Sequence, residues 1–236
     1  MRMRNKPWVK PELESSPFYI DDPFQKGNWN AKFPRKQPLY LELGCGKGNF
    51  IAELAATHPE INYLGIDMKS IVLASGCRHV KQAFANAGRE KIDNVILTAY
   101  DIERILNIMS KDDLVDRLYI NFCNPWPKER QNKKRLTHTR QLEKYKVFLK
   151  DGAELRFKTD DDELFEATLE YLKESGFELI LKTYDLHSLD HPDVEQIMTE
   201  HEKKFTEMGI KTKFLIARYH KTGDPNLTPY DKKTLE

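Results

Sequence analysis

Cysteine is scarce in this sequence, and neither sign of charge is in excess. The three cysteines, Cys45, Cys77 and Cys123, are widely spaced and form no C-x-x-C pair, which argues against a disulfide framework and against a zinc site. Lysine and arginine number 38 against 37 aspartate and glutamate residues. Any surface for nucleic acid must therefore be a local basic patch.

Long apolar runs are also absent. No stretch approaches roughly 18 consecutive apolar residues, and no apolar segment follows the basic start "MRMRNKPWVK". The sequence therefore predicts a cytoplasmic protein with no membrane and no metal among its partners. With 39% apolar residues, a chain of 236 residues can bury one sizeable core, which predicts one domain.

From about Pro38, short apolar runs alternate with longer amphipathic segments. This pattern is typical of an α/β fold, a mostly parallel sheet with helices on both faces. Predicted strands lie at residues 39 to 43, 61 to 67, 94 to 101, 117 to 122 and 153 to 160. Two further runs, 177 to 186 and 213 to 221, are predicted to pair antiparallel at one sheet edge. Helices are predicted near residues 136 to 150, 162 to 175 and 199 to 208.

The two ends of the chain differ from this central part, residues 38 to 221. Residues 1 to 37 are rich in Pro, Asn, Lys and aromatic residues without sustained periodicity, and we predict an arm of the same unit rather than a core element. Residues 222 to 236 are predicted to be a loose polar tail. The arm's basic residues, with Trp8 among them, could bind RNA phosphates. These residues are Arg2, Arg4, Lys6 and Lys10.

The stretch "ELGCGKGNF" follows the first predicted strand and opens the first helix. Gly44, Gly46 and Gly48 fall where a tight turn lets the backbone approach a ligand. A dinucleotide fingerprint, G-x-G-x-x-G, would place its third glycine at Asn49. The pattern E-x-G-x-G-x-G instead resembles the first motif of S-adenosylmethionine-dependent methyltransferases.

Three acids at strand ends accompany this loop. Glu42 can accept from the ammonium group of the cofactor's methionine part, directly or through water. Asp67 can accept from both ribose hydroxyls, and Asp101 lies where such folds reach the adenine amine. The alternative is that Asp67 and Asp101 only cap the helices that follow them.

The stretch "NFCNPWPK", residues 121 to 128, follows the fourth strand, beside the glycine loop in the predicted sheet. Two prolines stiffen it, and Trp126 offers a flat face on which a base could stack. The basic run "KERQNKKRLTHTR" overlaps its end and continues to Arg140, and it is the local patch that the balanced composition requires. Its alternative is a solvated loop. Cys123 is interpreted as a packing residue.

Five motifs in order carry a more specific resemblance. "RMRNKPW", "ELGCGKGNF", "NFCNPWPK", "LRFKTDD" and "IMTEHEKKF" resemble the bacterial tRNA (guanine-N7-)-methyltransferase family over almost the whole chain, up to about Lys221. The resemblance implies a Rossmann-like class I methyltransferase fold, S-adenosylmethionine as cofactor, tRNA as partner and 7-methylguanosine in the variable loop as product. A monomer and a homodimer are both compatible with it.

The resemblance also implies roles for individual residues. It assigns the cofactor to Glu42, Asp67, Asp101 and the position of Asn124. It assigns the substrate to Lys128, Asp160, Thr199, Glu200, His201 and Glu202. RNA contacts are implied for Arg130, Gln131, Asn132, Lys133, Lys134 and Arg135.

Several of these positions also have purely structural interpretations. Thr199 and Glu202 satisfy a capping box, and Asp160 could cap the helix that begins near Asp162. As a substrate residue, Asp160 or Glu202 could accept from the N1–H and N2 amino groups of guanine. Lys128 is interpreted as a partner for a phosphate or an acid rather than as a base.

Asn124 departs from the family, whose motif has aspartate at this position. Guanine N7 carries a lone pair and no proton, so its attack on a methyl group needs no general base. Proximity can supply on the order of 7 kcal/mol, whereas one lost charge costs about 1 to 4 kcal/mol. We therefore expect a slower enzyme rather than an inactive one.

Three other functions remain open at this point. One is a protein that binds cofactor and tRNA with little or no turnover because of Asn124. Another is a small-molecule methyltransferase, which would leave the basic loop and arm without a partner. The third is a nicotinamide dehydrogenase, which Asn49 opposes.

Overall fold

The computed structural model describes residues 6 to 191, 194 to 195 and 197 to 221, without the side chain of Glu200. Arg2, Arg4 and the predicted tail from 222 to 236 lie outside the described residues. The chain divides into two compact units, residues 1 to 113 and 114 to 236.

The first unit is built on parallel strands. Its elements are helix α1 (Val9–Glu14), strand β1 (Tyr19–Ile20), β2 (Leu39–Leu43), α2 (Asn49–Thr57), β3 (Asn62–Asp67), α3 (Ser70–Asn86) and β4 (Val95–Ala99), with 3-10 turns at Trp29–Lys32 and Ile102–Asn107. The strand order is β1-β4-β3-β2, and every pair in it is parallel. Strands β2, β3 and β4 are buried along most of their length, as expected of parallel strands covered on both faces.

The amino-terminal segment contributes to the core of this unit. Tyr19 and Ile20 extend the sheet by pairing with Leu97 and Thr98 of β4. Trp29 is fully buried, and its indole N–H donates to the carbonyl of Ile108 at 2.8 Å. The expectation that this segment holds no core element was therefore wrong for its described part, while the domain limits at residues 37 and 221 stay predictions.

The second unit combines parallel and antiparallel pairing. Its elements are β5 (Val115–Asn121), α4 (Thr139–Tyr145), β6 (Leu149–Thr159), α5 (Asp162–Glu174), β7 (Phe177–Thr183), α6 (Glu200–Glu207) and β8 (Lys213–Tyr219), with 3-10 turns at Glu129–Lys134 and Leu186–Ser188. The order is β5-β6-β8-β7; β5 and β6 are parallel, and β8 is antiparallel to β6 and β7. The predicted antiparallel pair is confirmed.

This arrangement places the predicted functional residues of each unit at the carboxyl ends of its parallel strands. In the first unit, β2, β3 and β4 all run in the same direction, so the glycine loop, Asp67 and Asp101 lie after the carboxyl ends of neighbouring strands. In the second unit, the parallel strands β5 and β6 likewise end together, which places the loop after Asn121 beside Asp160. Open α/β sheets bind ligands at this edge.

Candidate functional site

The glycine loop of the first unit is a left-handed turn with open space above it. Gly44, Gly46 and Gly48 have φ values of +75°, +53° and +67°. The backbone N–H of Gly44 donates to the carbonyl of Ile66 at 2.8 Å, which holds the loop against the end of β3. A Cβ built on Gly46 would meet no atom within 4 Å. The loop therefore presents bare backbone to a ligand.

Asp67 connects this loop to the next helix. Its Oδ2 accepts from the backbone N–H of Gly46 at 3.0 Å, and its Oδ1 accepts from that of Lys69 at 2.9 Å. Asp67 thus fixes both the glycine loop and the backbone that leads into α3, but the alternative that it caps this helix was wrong, because the cap residue is Lys69 and no described side chain caps the helix. One carboxylate serves both purposes.

The other two acids differ in exposure. Glu42 lies in β2 and is 3% exposed. Asp101 accepts from the backbone N–H of Glu103 at 3.0 Å and caps the 3-10 turn that follows, so its structural role is present. Its side chain remains 43% exposed. The carboxylate of Asp101 is therefore accessible to solvent.

In the second unit, the loop after β5 has an unusual backbone. Phe122 and Trp126 have φ values of +48° and +45°, in a region that bulky residues rarely adopt. The backbone N–H of Phe122 donates to the carbonyl of Lys158 at 2.9 Å. The exposed Asn124 accepts from the backbone N–H of Trp126 at 3.1 Å through its Oδ1. Asn124 therefore organises its own loop.

The basic run after this loop divides into exposed and buried residues. Lys128, Arg130, Lys133 and Lys134 are exposed, whereas Gln131 and Asn132 are half-buried. The ammonium group of Lys134 lies 4.9 Å from the centre of the Trp126 ring, close enough for a cation–π contact. The exposed members form a cationic surface next to Trp126.

Arg135 does not belong to this exposed surface. Its side chain is 2% exposed, and its guanidinium donates to the carbonyl of Pro125 at 2.7 Å and to the carboxylate of Glu163 at 2.7 Å. The expectation that Arg135 contacts RNA is therefore corrected, because its guanidinium is buried and already bound to partners within the protein. Burial lowers the pKa of Arg135, but hydrogen bonds with Glu163 and Tyr171 outweigh this effect and raise it. The side chain stays cationic.

Cys123 precedes Asn124 and is chemically quiet. Burial of the sulfur raises the pKa of Cys123 to about 12, against a partial lowering by hydrogen bonds with the backbone of Leu136 and of Cys123 itself. A thiol with this pKa carries almost no thiolate at neutral pH. The structure thus agrees with a packing role.

Asp160 is not the cap of α5. The cap is Asp161, whose Oδ1 accepts from the backbone N–H of Leu164 at 2.7 Å. The carboxylate of Asp160 instead lies 3.3 Å from Nε2 of His201, and 27% of its side chain is exposed. The capping alternative for Asp160 is excluded, so the carboxylate is left at the accessible end of β6.

His201 lies in an aromatic cluster at the same place. Its ring stacks on Phe205 with centroids 4.1 Å apart and contacts the ring of Phe122 at 4.8 Å. The side chain is 44% exposed. The loop after β5, the end of β6 and the start of α6 therefore meet around an imidazole that solvent can reach.

Glu202 occupies a different environment. Its side chain is fully buried and completes a capping box with Thr199, in which both side-chain-to-backbone hydrogen bonds are present. Nζ of Lys158 lies 3.3 Å from its Oε2, and Nε2 of His187 lies 3.4 Å from its Oε1. Glu202 thus stabilises the start of α6, as the structural alternative for this motif predicted.

Sequence reasoning missed the charged residues that fix this region. Lys158 is 3% exposed, and its ammonium also donates to the carbonyl of Ile197 at 3.1 Å. Glu195 accepts from Arg156 at 2.6 Å and from Tyr119 at 2.7 Å. Burial raises the pKa of Glu195, but Arg156 and Tyr119 outweigh it and hold the pKa below its ordinary value. Charged residues inside the apolar run of β6 were the available signal.

Two features are absent from the part of the chain that the structure describes. Within it, no helix has both the length and the apolar character needed to cross a membrane. No group of three or more His, Cys, Asp or Glu side chains there could hold a metal ion.

Comparisons with known proteins are specific. Residues 36–215 match a family model described as "Putative methyltransferase". The chain is 55% identical over 219 residues to the tRNA (guanine-N(7)-)-methyltransferase of Clostridium beijerinckii, an alignment that covers 92% of this chain and 98% of that protein. It is 52% identical over 218 residues to a protein of the same name from Clostridium botulinum, again covering 92% and 98%.

A solved structure supports the fold. A variant of the 16S rRNA (adenine(1408)-N(1))-methyltransferase from Catenulisporales acidiphilia, determined with its cosubstrate S-adenosylmethionine, superposes with a TM-score of 0.53 at 18% identity. The alignment covers 87% of this chain and 95% of that one. The Rossmann-like class I methyltransferase fold expected from the sequence is confirmed.

Proposed function

The chain belongs to the tRNA (guanine-N(7)-)-methyltransferase family, and we propose that it methylates N7 of a guanosine in the variable loop of tRNA. The observation that carries the proposal is 55% identity to a relative of that name over 92% of this chain. The alternative of a binding protein without turnover is not favoured, because the relatives are named as enzymes. We also propose that the protein is cytoplasmic and acts as a monomer or a homodimer.

The residues of the first unit fit S-adenosylmethionine. The open backbone at Gly46 admits a ligand, and Asp67 presents a carboxylate at the end of β3, where ribose hydroxyls bind in such folds. We assign the methionine ammonium to Glu42 and the adenine amine to Asp101. When bound, this cofactor supplies a methyl group on a cationic sulfur.

This reaction requires little acid–base catalysis from the protein. A bond forms between guanine N7 and the methyl carbon while the carbon–sulfur bond breaks, and the positive charge passes from sulfur to the purine. Because N7 carries no proton, no residue acts as a general base. The residues must instead position the base and stabilise its new charge. Asn124 has an amide oxygen for this purpose, and Lys128 is assigned to a phosphate.

We assign recognition of the guanine edge to Asp160. A carboxylate can accept from both N1–H and the N2 amino group, and Asp160 is accessible whereas Glu202 is fully buried. His201 and Thr199 complete the substrate side in this proposal, and Glu202 acts by holding them in place. The side chain of Glu200, which the family resemblance also assigns to the substrate, lies outside the described residues.

Asp160→Asn should lower kcat/KM for tRNA by roughly 10-fold, since an amide offers the guanine edge one acceptor and a competing donor. The decisive measurement pairs this variant with a tRNA transcript that carries inosine, which lacks the N2 amino group, at the target position. Inosine should lower kcat/KM of the parent protein by roughly 10-fold and that of the Asp160→Asn variant by much less.

Glu202→Gln is the control for this pair. This variant should have a lower free energy of unfolding than the parent protein, because Lys158 would lose a buried charged partner. The cost of inosine should be the same as in the parent protein. If Glu202→Gln removes the cost of inosine and Asp160→Asn does not, the two roles must be exchanged.

We propose that the exposed basic residues contact tRNA phosphates, together with the amino-terminal arm. Replacing Arg130, Lys133 and Lys134 with alanine should weaken tRNA binding by roughly 10-fold or more. The slope of log K against log salt concentration should become shallower by up to about 0.9 for each lost phosphate contact. Cofactor affinity should not change. Filter binding over a series of salt concentrations measures both quantities.

A charge-matched control comes from the edge of the first unit at which strands β2 and β4 begin. Lys32, Lys36 and Lys91 are exposed and precede strands β2 and β4. Their replacement with alanine also removes three positive charges, and it should leave the salt slope of tRNA binding unchanged. Equal effects from both triple variants would support the solvated-loop interpretation of residues 130 to 134.

The overall function is tested with unmodified tRNA and S-adenosylmethionine labelled in its methyl group. Nucleoside analysis of the product should give 7-methylguanosine from a single site in the variable loop. Label in any other methylated base would overturn the proposed function.

A further inference from the structure

Arg135 contacts the loop that carries Asn124 at two consecutive carbonyl groups. Its Nε donates to Pro125 at 2.7 Å, and its Nη2 lies 3.4 Å from the carbonyl oxygen of Trp126. The same Nη2 donates to Oε1 of Glu163 at 2.7 Å. We propose that Arg135 is a positioning residue, whose guanidinium holds residues 124 to 126 in the shape that presents Asn124. This inference rests on the proposed function of that loop.

The loop needs such a partner because its backbone is strained. Left-handed φ values at bulky residues cost on the order of 1 to 3 kcal/mol each, and they persist only where the surroundings fix them. Phe122 and Trp126 both have such values. Trp126 is held from two sides, since its N–H donates to Asn124 and its carbonyl accepts from Arg135. Removing the guanidinium would free one side.

Arginine suits this position better than lysine. The guanidinium is a planar fork that directs N–H groups along several fixed directions, whereas an ammonium group is a compact charge. At Arg135, one edge serves the loop carbonyls and Nη2 also reaches Glu163 in the first turn of α5. A lysine would satisfy only part of this set.

Burial separates this role from phosphate binding. Lys133, two residues earlier, is exposed, whereas the Arg135 side chain is 2% exposed. A phosphate ligand contributes to tRNA affinity and to its salt dependence. A positioning residue contributes to the rate of the chemical step once both substrates are bound. The two residues therefore form a matched pair for experiment.

Arg135→Ala should lower the single-turnover rate of methyl transfer by roughly 10-fold at saturating tRNA and cofactor, with tRNA affinity and salt slope unchanged. Lys133→Ala should instead weaken tRNA binding and flatten its salt slope. Arg135→Lys should retain part of the rate. A rate equal to that of the parent in Arg135→Ala, or a flattened salt slope without loss of rate, would overturn the proposal.

Chemical rescue provides a readout that general destabilisation would not give. A cleft of about 640 Å³ borders Arg135 and is lined by acidic side chains of α5, including Glu163, Glu166 and Glu170. Guanidinium at tens of millimolar should enter it and restore part of the rate of Arg135→Ala, while sodium chloride at the same ionic strength should not. No rescue in a folded variant would count against the proposal.

Fluorescence keeps the test independent of catalysis. Trp126 emission, obtained by difference from a Trp126→Phe variant, should change in Arg135→Ala and return with guanidinium. If the parent protein does not methylate tRNA, the proposed function fails while this signal still tests Arg135. If Arg135→Ala does not fold, Arg135→Lys and Glu163→Gln decide, and unchanged rate and emission in both would overturn the proposal.

Discussion

Gly46→Val should abolish binding of S-adenosylmethionine, with a loss of affinity of at least about 100-fold, equivalent to about 2.7 kcal/mol. A β-branched residue is poorly accommodated at φ +53°. Its side chain would also enter the space above the loop, where a Cβ now meets nothing within 4 Å. Any backbone shift would disturb the hydrogen bond from Gly46 to Asp67. Isothermal calorimetry measures the affinity directly.

Gly88 provides a matched control at the end of α3. Its φ is +67°, and a Cβ there also meets nothing within 4 Å. Gly88→Val should therefore cause a similar loss in the free energy of unfolding and no loss of cofactor affinity. The parent protein should show no binding of NAD. If Gly46→Val binds the cofactor like the parent, the glycine loop is only a turn.

Asn124→Asp should raise the single-turnover rate of methyl transfer by roughly 10-fold to 100-fold. A carboxylate stabilises the positive charge delivered to the purine better than an amide does, by about 1 to 3 kcal/mol. The substitution should keep the loop intact, because an aspartate oxygen can accept from the Trp126 N–H as Oδ1 of Asn124 does. Cofactor affinity should be retained. Saturating tRNA and cofactor ensure that the rate reports chemistry.

Asn124→Ala is the reference for this gain, because it removes both the charge and the loop hydrogen bond. It should be slower than the parent protein. No transfer by either the parent or Asn124→Asp, with both ligands bound, would favour a tRNA-binding protein without turnover. A large loss in Asn124→Asp would mean that the amide's N–H₂ group has a positive role, such as donation to guanine O6.

The sequence predicted strands β2 to β8 well because local apolar runs mark them, whereas it missed the short strand β1. The run at residues 39 to 43 coincides with β2, and the antiparallel pair β7 and β8 was also anticipated. Helix α4 is shorter than predicted, since it covers Thr139–Tyr145 rather than residues 136 to 150. Helix ends depend on capping and on tertiary contacts that periodicity does not encode.

The candidate site was predictable by residue type more than by role. Two adjacent aspartates precede α5, and only the three-dimensional structure shows that Asp161 caps the helix while Asp160 faces His201. The basic run likewise gives no sign that Arg135 is buried and Lys133 exposed, because that division depends on contacts with Glu163 and the Pro125 carbonyl. Long-range partners decide such roles.

The position of β8 affects how the second unit can fold during synthesis. Strand β8, which follows β7 in the sequence, lies between β6 and β7, and β7 pairs with no other strand in the described residues. Until residues 213 to 219 have left the ribosome, β6 lacks one neighbour and β7 has none, so the edges that β8 later covers on both strands stay open. Open edges invite pairing between chains. Premature termination only a few residues before Lys213 would thus yield an aggregation-prone product rather than a shortened enzyme.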